Sequence, residues 1–166
     1  MKIGVPRETW PGETRVALIP ATVAALRKTG LDVVVEREAG TAAGFPAAAY
    51  EQAGASLASR DALFSTADLI LQVRSVPADR GRLRKGQVVI GFADPLGAPE
   101  GLRAFAEAGA TAFSMELMPR ITRAQSMDAL SSMATIPKRE ASAIGSSIAA
   151  RVTAAPRSRW KRSMRA

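Results

Sequence analysis

The chain has 166 residues, a hydrophobic share of 47% and a formal net charge of +8 at pH 7. This length suits one domain, or one domain with a short tail. It contains no cysteine and no histidine, which excludes disulfides, thiolate metal sites and Ser-His or Cys-His catalytic pairs. No run approaches the roughly 20 apolar residues that span a bilayer, and the start lacks the apolar region of a signal peptide. We therefore expect a soluble, cytoplasmic protein.

The positive charge is concentrated at the carboxyl end of the chain. Residues 137–166 carry eight basic residues and one acidic residue, whereas the other 136 residues carry 15 basic and 14 acidic residues. The body of the protein is therefore nearly neutral. Although a high isoelectric point is typical of nucleic-acid binding, this distribution gives no reason to expect a nucleic-acid partner for the body.

Short apolar runs alternate with amphipathic stretches along the first 115 residues. The apolar, partly β-branched runs predict strands at residues 2–5, 32–36, 68–73, 87–92 and 110–115. The amphipathic stretches, several of which end at glycine, predict helices at residues 20–29, 47–53, 60–64 and 99–108. No internal repeat and no low-complexity tract interrupts this pattern before Pro137.

Apolar strands separated by helices indicate a parallel sheet that is covered on both faces. We predict an α/β fold of the Rossmann/flavodoxin-like class, a doubly wound parallel sheet of about five strands with flanking helices. Ligands of such sheets bind beyond the carboxyl ends of the strands. This rule selects the loops at residues 6–15, 74–77, 93–98 and 116–128.

The chain lacks the glycine fingerprint of a dinucleotide-binding loop. The glycines of the segment 40–44 and Gly97 do not have the G-x-G-x-x-G spacing after a strand. A pyrophosphate group needs close approach of the backbone at such a loop. We therefore expect that this chain alone does not bind a dinucleotide tightly.

Two polar segments are candidates for a functional site. One is the loop that contains Arg15, and the other places a cation, an amide and a carboxylate close together as Arg120, Gln125 and Asp128. From the residues alone, the first segment also fits a solvated loop with weak surface ion pairs. The second also fits a helix start, with Thr122 or Ser126 as the cap.

Residues 1–136 resemble the alanine dehydrogenase and transhydrogenase N-terminal domain family. The segment 116–136 is similar to the loop of the NAD(H)-binding alpha subunit of proton-translocating NAD(P) transhydrogenases. This resemblance implies that Arg120, Gln125 and Asp128 contact the nicotinamide end of NAD(H). It also implies a candidate cofactor-binding role for Arg15, whose counterpart in alanine dehydrogenases clamps the substrate carboxylate.

The resemblance further separates two enzymatic branches. Where alanine dehydrogenases have a lysine and a histidine, this chain has Arg74 and Asp94. An arginine is a poor proton shuttle, and an aspartate does not replace a histidine near neutral pH. A divergent alanine dehydrogenase therefore remains an alternative that these residues oppose.

The transhydrogenase branch implies a translocase and oxidoreductase that passes a hydride between NAD(H) and NADP(H) while protons cross a membrane. Direct transfer between two nicotinamides needs positioning and no general base, which suits a chain without histidine. The implied partners are a beta subunit and a membrane domain, with a homodimer in the parent enzyme. The implied location is the cytoplasmic, inner face of the plasma membrane, where the partner subunits hold it.

The resemblance ends at Ile136, where Pro137 begins an Arg-, Ala- and Ser-rich tail. We interpret residues 1–136 as the N-terminal subdomain and residues 137–166 as a non-native or disordered tail. A frameshift or truncation would produce such a tail, and the remaining fragment is expected to be inactive alone. An alternative of another class is a non-catalytic module whose basic tail binds nucleic acid or an anionic membrane.

Overall fold

The computed structural model describes residues 1–75, 77–118 and 121. Within these residues the strands are β1 Lys2–Val5, β2 Asp32–Glu36, β3 Ser56–Ala58, β4 Leu69–Arg74, β5 Val88–Phe92 and β6 Thr111–Ser114. The α-helices are α1 Pro20–Lys28, α2 Ala47–Gln52, α3 Arg60–Thr66, α4 Pro77–Arg80 and α5 Glu100–Glu107. Single 3₁₀ turns lie at Thr41–Ala43 and Met115–Leu117.

The described strands form one parallel sheet in the order β3-β2-β1-β4-β5-β6. This is the strand order of the Rossmann fold, so the predicted fold class is confirmed. The sheet has six strands rather than about five, because the sequence prediction missed β3. The segment Ser56–Ala58 has three residues and one large apolar side chain, and its pairing with β2 defines it as a strand.

The core is divided between the two faces of the sheet because side chains alternate along each strand. Val33 and Val35 pack on one face with residues of α1 and α2, whereas Val34 packs on the other face with Leu63 and Phe64 of α3. Burial of a side chain of this size contributes about 1.5–3 kcal/mol. Helices therefore cover both faces, as a doubly wound sheet requires.

The first helix shows how local sequence fixes these elements. Pro20 occupies the first turn of α1, where its missing N–H costs nothing, and Gly30 follows the helix at a φ of +78°. Thr22, Val23 and Leu26 form the buried face of the helix. The prediction of a helix that stops at Gly30 is thus confirmed.

A β-bulge interrupts the pairing of β4 with β5. Leu71 pairs with Ile90 and Arg74 pairs with Phe92, so two residues of β4 oppose Gly91 alone. A side chain at Gly91 would meet the Gln72 carbonyl oxygen, which lies 2.6 Å from the position of an added Cβ. The bulge redirects the carboxyl end of β4, where the candidate site lies.

Candidate functional site

The carboxyl ends of the parallel strands meet at one edge of the sheet. The strand order reverses between β1 and β4, and the crevice at such a reversal is where open α/β sheets bind ligands. The loop of residues 6–19 connects β1 to α1 at this edge. Its side chains are therefore among the groups that a ligand in the crevice would contact.

Glu8 fastens this loop to the end of β4. Its Oε1 accepts the Val73 N–H at 2.6 Å and its Oε2 accepts the Arg74 N–H at 3.0 Å. Burial is the main influence on this carboxyl and raises its pKa to about 7, although the two backbone N–H groups act in the opposite direction. Glu8 thus holds the bulged end of the strand with a carboxyl that titrates near neutrality.

Arg15, the predicted site residue in this loop, lies beside Glu13. Its Nε donates to Glu13 Oε1 at 2.6 Å and its Nη2 contacts Oε2 at 2.5 Å, which is a two-pronged pair. Burial alone would raise the pKa of Glu13, but the bonds from Arg15 outweigh it and hold this pKa below the usual value. The pair gives the loop a rigid, oriented guanidinium.

Arg74 and Trp10 form the more open side of the same cluster. The Arg74 guanidinium lies 5.2 Å from the centre of the Trp10 ring, and its Nε is 3.5 Å from Glu13 Oε2. The Glu13 side chain is only 6% exposed, against 46% for Arg74. The interpretation of this loop as merely solvated surface ion pairs is therefore wrong for Glu13.

A second charged cluster, centred on Arg60, lies at the same edge of the sheet. Arg60 contacts Glu36 at 2.7 Å and Asp79 at 2.5 Å, and it donates to the Arg7 carbonyl at 2.9 Å. Gln72 donates to the same Asp79 at 2.9 Å. These contacts join the ends of β2 and β4 to the first turns of α3 and α4.

Glu116 performs a similar task at the end of β5. Its Oε1 accepts the N–H groups of Ala93 and Asp94 at 3.0 and 2.5 Å. Asp94 has a φ of +48°, and its carboxylate accepts the Gly97 N–H. The Asp94 side chain thus stabilises a tight turn. This role gives no reason to regard Asp94 as a replacement for a catalytic histidine.

The described part of the edge does not form a pyrophosphate cradle. The loop between β1 and α1 has no glycine-rich turn, and the Glu8 carboxylate already accepts the two backbone N–H groups at the end of β4.

Among the described residues there is no group of three or more acidic residues that could hold a metal ion. No helix in the described part of the chain is long and apolar enough to cross a membrane.

Arg15 is the one predicted site residue that lies within the described residues. Arg120, Gln125 and Asp128 lie outside them, so their roles stay predictions. Sequence reasoning missed Glu8, Glu13, Arg60, Asp79 and Glu116. For Glu8 and Glu116 a signal existed, because each is an acidic residue within three positions of the end of a predicted strand.

The strand order and the crevice at its reversal define a doubly wound α/β domain. The chain belongs to the alanine dehydrogenase/PNT N-terminal domain family, whose model matches residues 4–137. It is 49% identical over 138 residues to the NAD(P) transhydrogenase subunit alpha of Cereibacter sphaeroides, a match that covers 82% of this chain and 26% of that protein. The predicted family is confirmed.

A solved transhydrogenase from Sinorhizobium meliloti is similar in structure, with a TM-score of 0.77 and 47% identity over 81% of this chain and 40% of that chain. The alanine dehydrogenase of Mycobacterium tuberculosis is a more distant relative, 32% identical over 87% of this chain and 39% of that protein. The chain thus spans about a quarter to two fifths of the length of these proteins. It is nearer to the transhydrogenases than to this alanine dehydrogenase.

Proposed function

We propose that this chain is the first α/β subdomain of an NAD(P) transhydrogenase alpha subunit, where it contributes to NAD(H) binding. The observation that carries the proposal is its 49% identity to such a subunit over 82% of its length. The reaction of the parent enzyme is hydride transfer between NAD(H) and NADP(H). When bound, NAD(H) supplies the hydride chemistry, and this chain's residues bind and orient the nicotinamide.

Within this function we assign Arg120, Gln125 and Asp128 to the nicotinamide end of NAD(H), with Arg15 as a secondary contact. An amide and a carboxylate suit the carboxamide and ribose groups, which both donate and accept hydrogen bonds. The absence of a pyrophosphate cradle in the described edge supports a restriction to this end of the cofactor. The missing part of the nucleotide site would then come from a further domain.

The geometry of the described edge favours this proposal over alanine oxidation. The Arg74 guanidinium contacts Trp10 and Glu13, and the Asp94 carboxylate accepts the Gly97 N–H within a turn. Both side chains are therefore engaged in contacts within the protein. We expect no alanine-dependent NADH formation by this chain.

The assembly belongs to the same proposal. We assign a beta subunit and a membrane domain as its partners, and a homodimer as the state of the parent enzyme. The membrane domain would translocate the protons. The chain would lie on the cytoplasmic, inner face of the membrane. Residues 1–136 form the functional subdomain, residues 137–166 are a non-native tail that arises from a frameshift, and the chain is inactive alone. Sequencing the gene tests the frameshift, because a family-like continuation in another frame is expected after codon 136.

The nicotinamide assignment is tested by saturation-transfer NMR of the 166-residue chain with millimolar NADH. We expect the nicotinamide and adjacent ribose protons to receive more saturation than the adenine protons. Asp128→Ala and Gln125→Ala should each weaken binding about three- to tenfold, as expected for one lost hydrogen bond. Arg82→Ala, which removes an exposed pair with Asp61, is the matched control and should leave binding unchanged.

Three results would contradict the assignment. The first is preferential saturation of the adenine protons, and the second is equal binding by the wild type and both variants. The third is the absence of any saturation transfer to NADH from a chain that circular dichroism shows to be folded.

A further inference from the structure

Glu116 lies where the described chain leaves the sheet toward the three predicted NAD(H) contacts. It belongs to the 3₁₀ turn Met115–Leu117, which follows β6 directly. Met115 is buried in the core, and its carbonyl accepts the Met118 N–H at 3.3 Å. The path of the chain is therefore set up to residue 118, two positions before Arg120.

The Glu116 carboxylate ties this turn to the end of the neighbouring strand. Its Oε1 accepts the Ala93 N–H at 3.0 Å and the Asp94 N–H at 2.5 Å, across 23 and 22 residues of sequence. Bonds from N–H groups to a carboxylate are roughly twice as strong as bonds between neutral groups. Glu116 thus joins the turn after β6 to the turn after β5.

The turn that Glu116 holds is closely packed. The Asp94 side chain accepts the Gly97 N–H at 3.1 Å, and the Asp94 carbonyl accepts the Ala98 N–H at 2.9 Å. A Cβ added at Gly97 would lie 2.5 Å from Asp94 Oδ2, so the turn has no room for a larger residue there. The two bonds to Glu116 therefore come from a well-defined turn, which suits them to set a position.

The second oxygen of Glu116 shows that this side chain is not optimal for stability. Within the described residues, Oε2 is buried and has no hydrogen-bond partner. A buried charged acceptor without a donor lowers the stability of the folded state. Such departures from full hydrogen bonding are expected at functional sites.

We propose that Glu116 is a positioning residue of the NAD(H) site. By holding the turn after β6 against the turn after β5, it sets the direction in which residues 120–128 leave the sheet. Ligand contacts require supporting hydrogen bonds that hold them to within about 0.5 Å. The inference rests on the proposed NAD(H) function, and Glu116 acts through the segment that follows it, not through contact with the nucleotide.

Saturation-transfer NMR of the 166-residue chain with millimolar NADH tests this role through the ratio of nicotinamide to adenine saturation. Glu116→Ala removes the acceptor of both N–H groups. We expect the preference for the nicotinamide end to be lost, so that both ends of NADH receive equal saturation. A purely structural role would lower the saturation of both ends in the same proportion and would leave their ratio unchanged.

Further variants separate the two hydrogen bonds from other effects. Glu116→Gln keeps an oxygen for the Ala93 and Asp94 N–H groups and should keep the wild-type ratio. Glu107→Ala, at an exposed carboxyl on α5, is the matched control and should also keep it. If circular dichroism shows that Glu116→Ala is unfolded, Glu116→Asp takes its place. Its shorter side chain withdraws the carboxylate from both N–H groups, so its ratio should fall below that of the wild type.

The outcomes distinguish the positioning role from the proposed function itself. If the wild type prefers the nicotinamide end and Glu116→Ala, or Glu116→Asp in its place, keeps the same ratio, the positioning role is overturned and the NAD(H) assignment stands. The same holds if Glu116→Gln loses the preference as fully as Glu116→Ala, since its two bonds remain. A wild type that transfers more saturation to the adenine end, or none to NADH, would overturn the proposed function and this inference together.

Discussion

Tyr50 illustrates how one residue depends on contacts that are remote in sequence. It is the chain's single tyrosine, it is almost fully buried, and its hydroxyl donates to the Leu18 carbonyl at 2.9 Å. A Cβ at Gly40 would lie 2.6 Å from its ring, so the glycine makes room for it. Burial raises the pKa of this phenol well above its usual value of 10.0.

We expect Tyr50 to stay protonated in the folded protein at pH 11. Since the folded pKa is raised, its contribution to stability is complete below pH 10 and is lost as the pH rises further. Absorbance at 295 nm measures the phenolate, and it should appear only together with the loss of the circular-dichroism signal. Phenolate formation near pH 10 in a native protein would contradict this prediction.

The hydroxyl also gives a stability prediction. Tyr50→Phe leaves the buried Leu18 carbonyl without this donor and should lower the free energy of unfolding by about 1 kcal/mol. Urea denaturation followed by circular dichroism measures the difference. An unchanged urea midpoint would mean that this hydrogen bond makes no net contribution to the free energy of unfolding.

At the level of the elements, Arg60 joins parts of the fold that local sequence does not connect. Its guanidinium lies between Glu36 at the end of β2 and Asp79 in α4, and its side chain is only 17% exposed. The Asp79 side chain is 4% exposed. A buried carboxylate without its cation is costly, so this arginine fixes α3 and α4 against the sheet.

We expect Arg60→Met to reduce the free energy of unfolding by about 3 kcal/mol, because Asp79 would lose its buried partner. Arg82→Met is the matched control. It removes a pair with Asp61 that is exposed on both sides, which should cost less than about 1 kcal/mol. Chemical denaturation of both variants makes the comparison, and equal losses would show that burial does not distinguish the pairs.

At the scale of the whole molecule, β6 lies at one edge of the sheet formed by the described strands, and apolar side chains are exposed there. Phe113, Leu117 and Ile121 are 43%, 53% and 54% exposed, and the first three residues of β6 are exposed. An edge strand with apolar side chains is a template for pairing with another chain. We therefore expect the chain to self-associate through this part of its surface.

We expect Phe113→Lys to reduce self-association of the chain, because a charge on an edge strand opposes pairing. Leu96→Lys is the control, at a more exposed apolar residue in a loop, and should have little effect. Sedimentation velocity at several protein concentrations measures both. If both variants reduced self-association equally, the added net charge, and not the disruption of pairing at β6, would explain the effect.

Most of the elements could be predicted because their signals are local. The β-branched run Asp32–Glu36 and the proline and glycine that flank α1 fix their elements within a few residues. Ser56–Ala58 lacks such a signal and becomes a strand only through β2. The site was harder to predict, since Glu8 meets Val73 across 65 residues and Arg60 meets Glu36 across 24.

The amino-acid sequence was sufficient for the fold class and for the absence of histidine and cysteine chemistry, because hydrophobic periodicity and composition are properties of the chain itself. The family followed from the resemblance of residues 1–136 to known proteins. It also supplied Arg120, Gln125 and Asp128 as predicted contacts to NAD(H). The bulge at β4, the tie from Glu8 to that bulge, and the pairing of Arg15 with Glu13 required the folded structure. Burial and the meeting of distant segments set the partners and pKa values of these groups, and neither can be read from residue order.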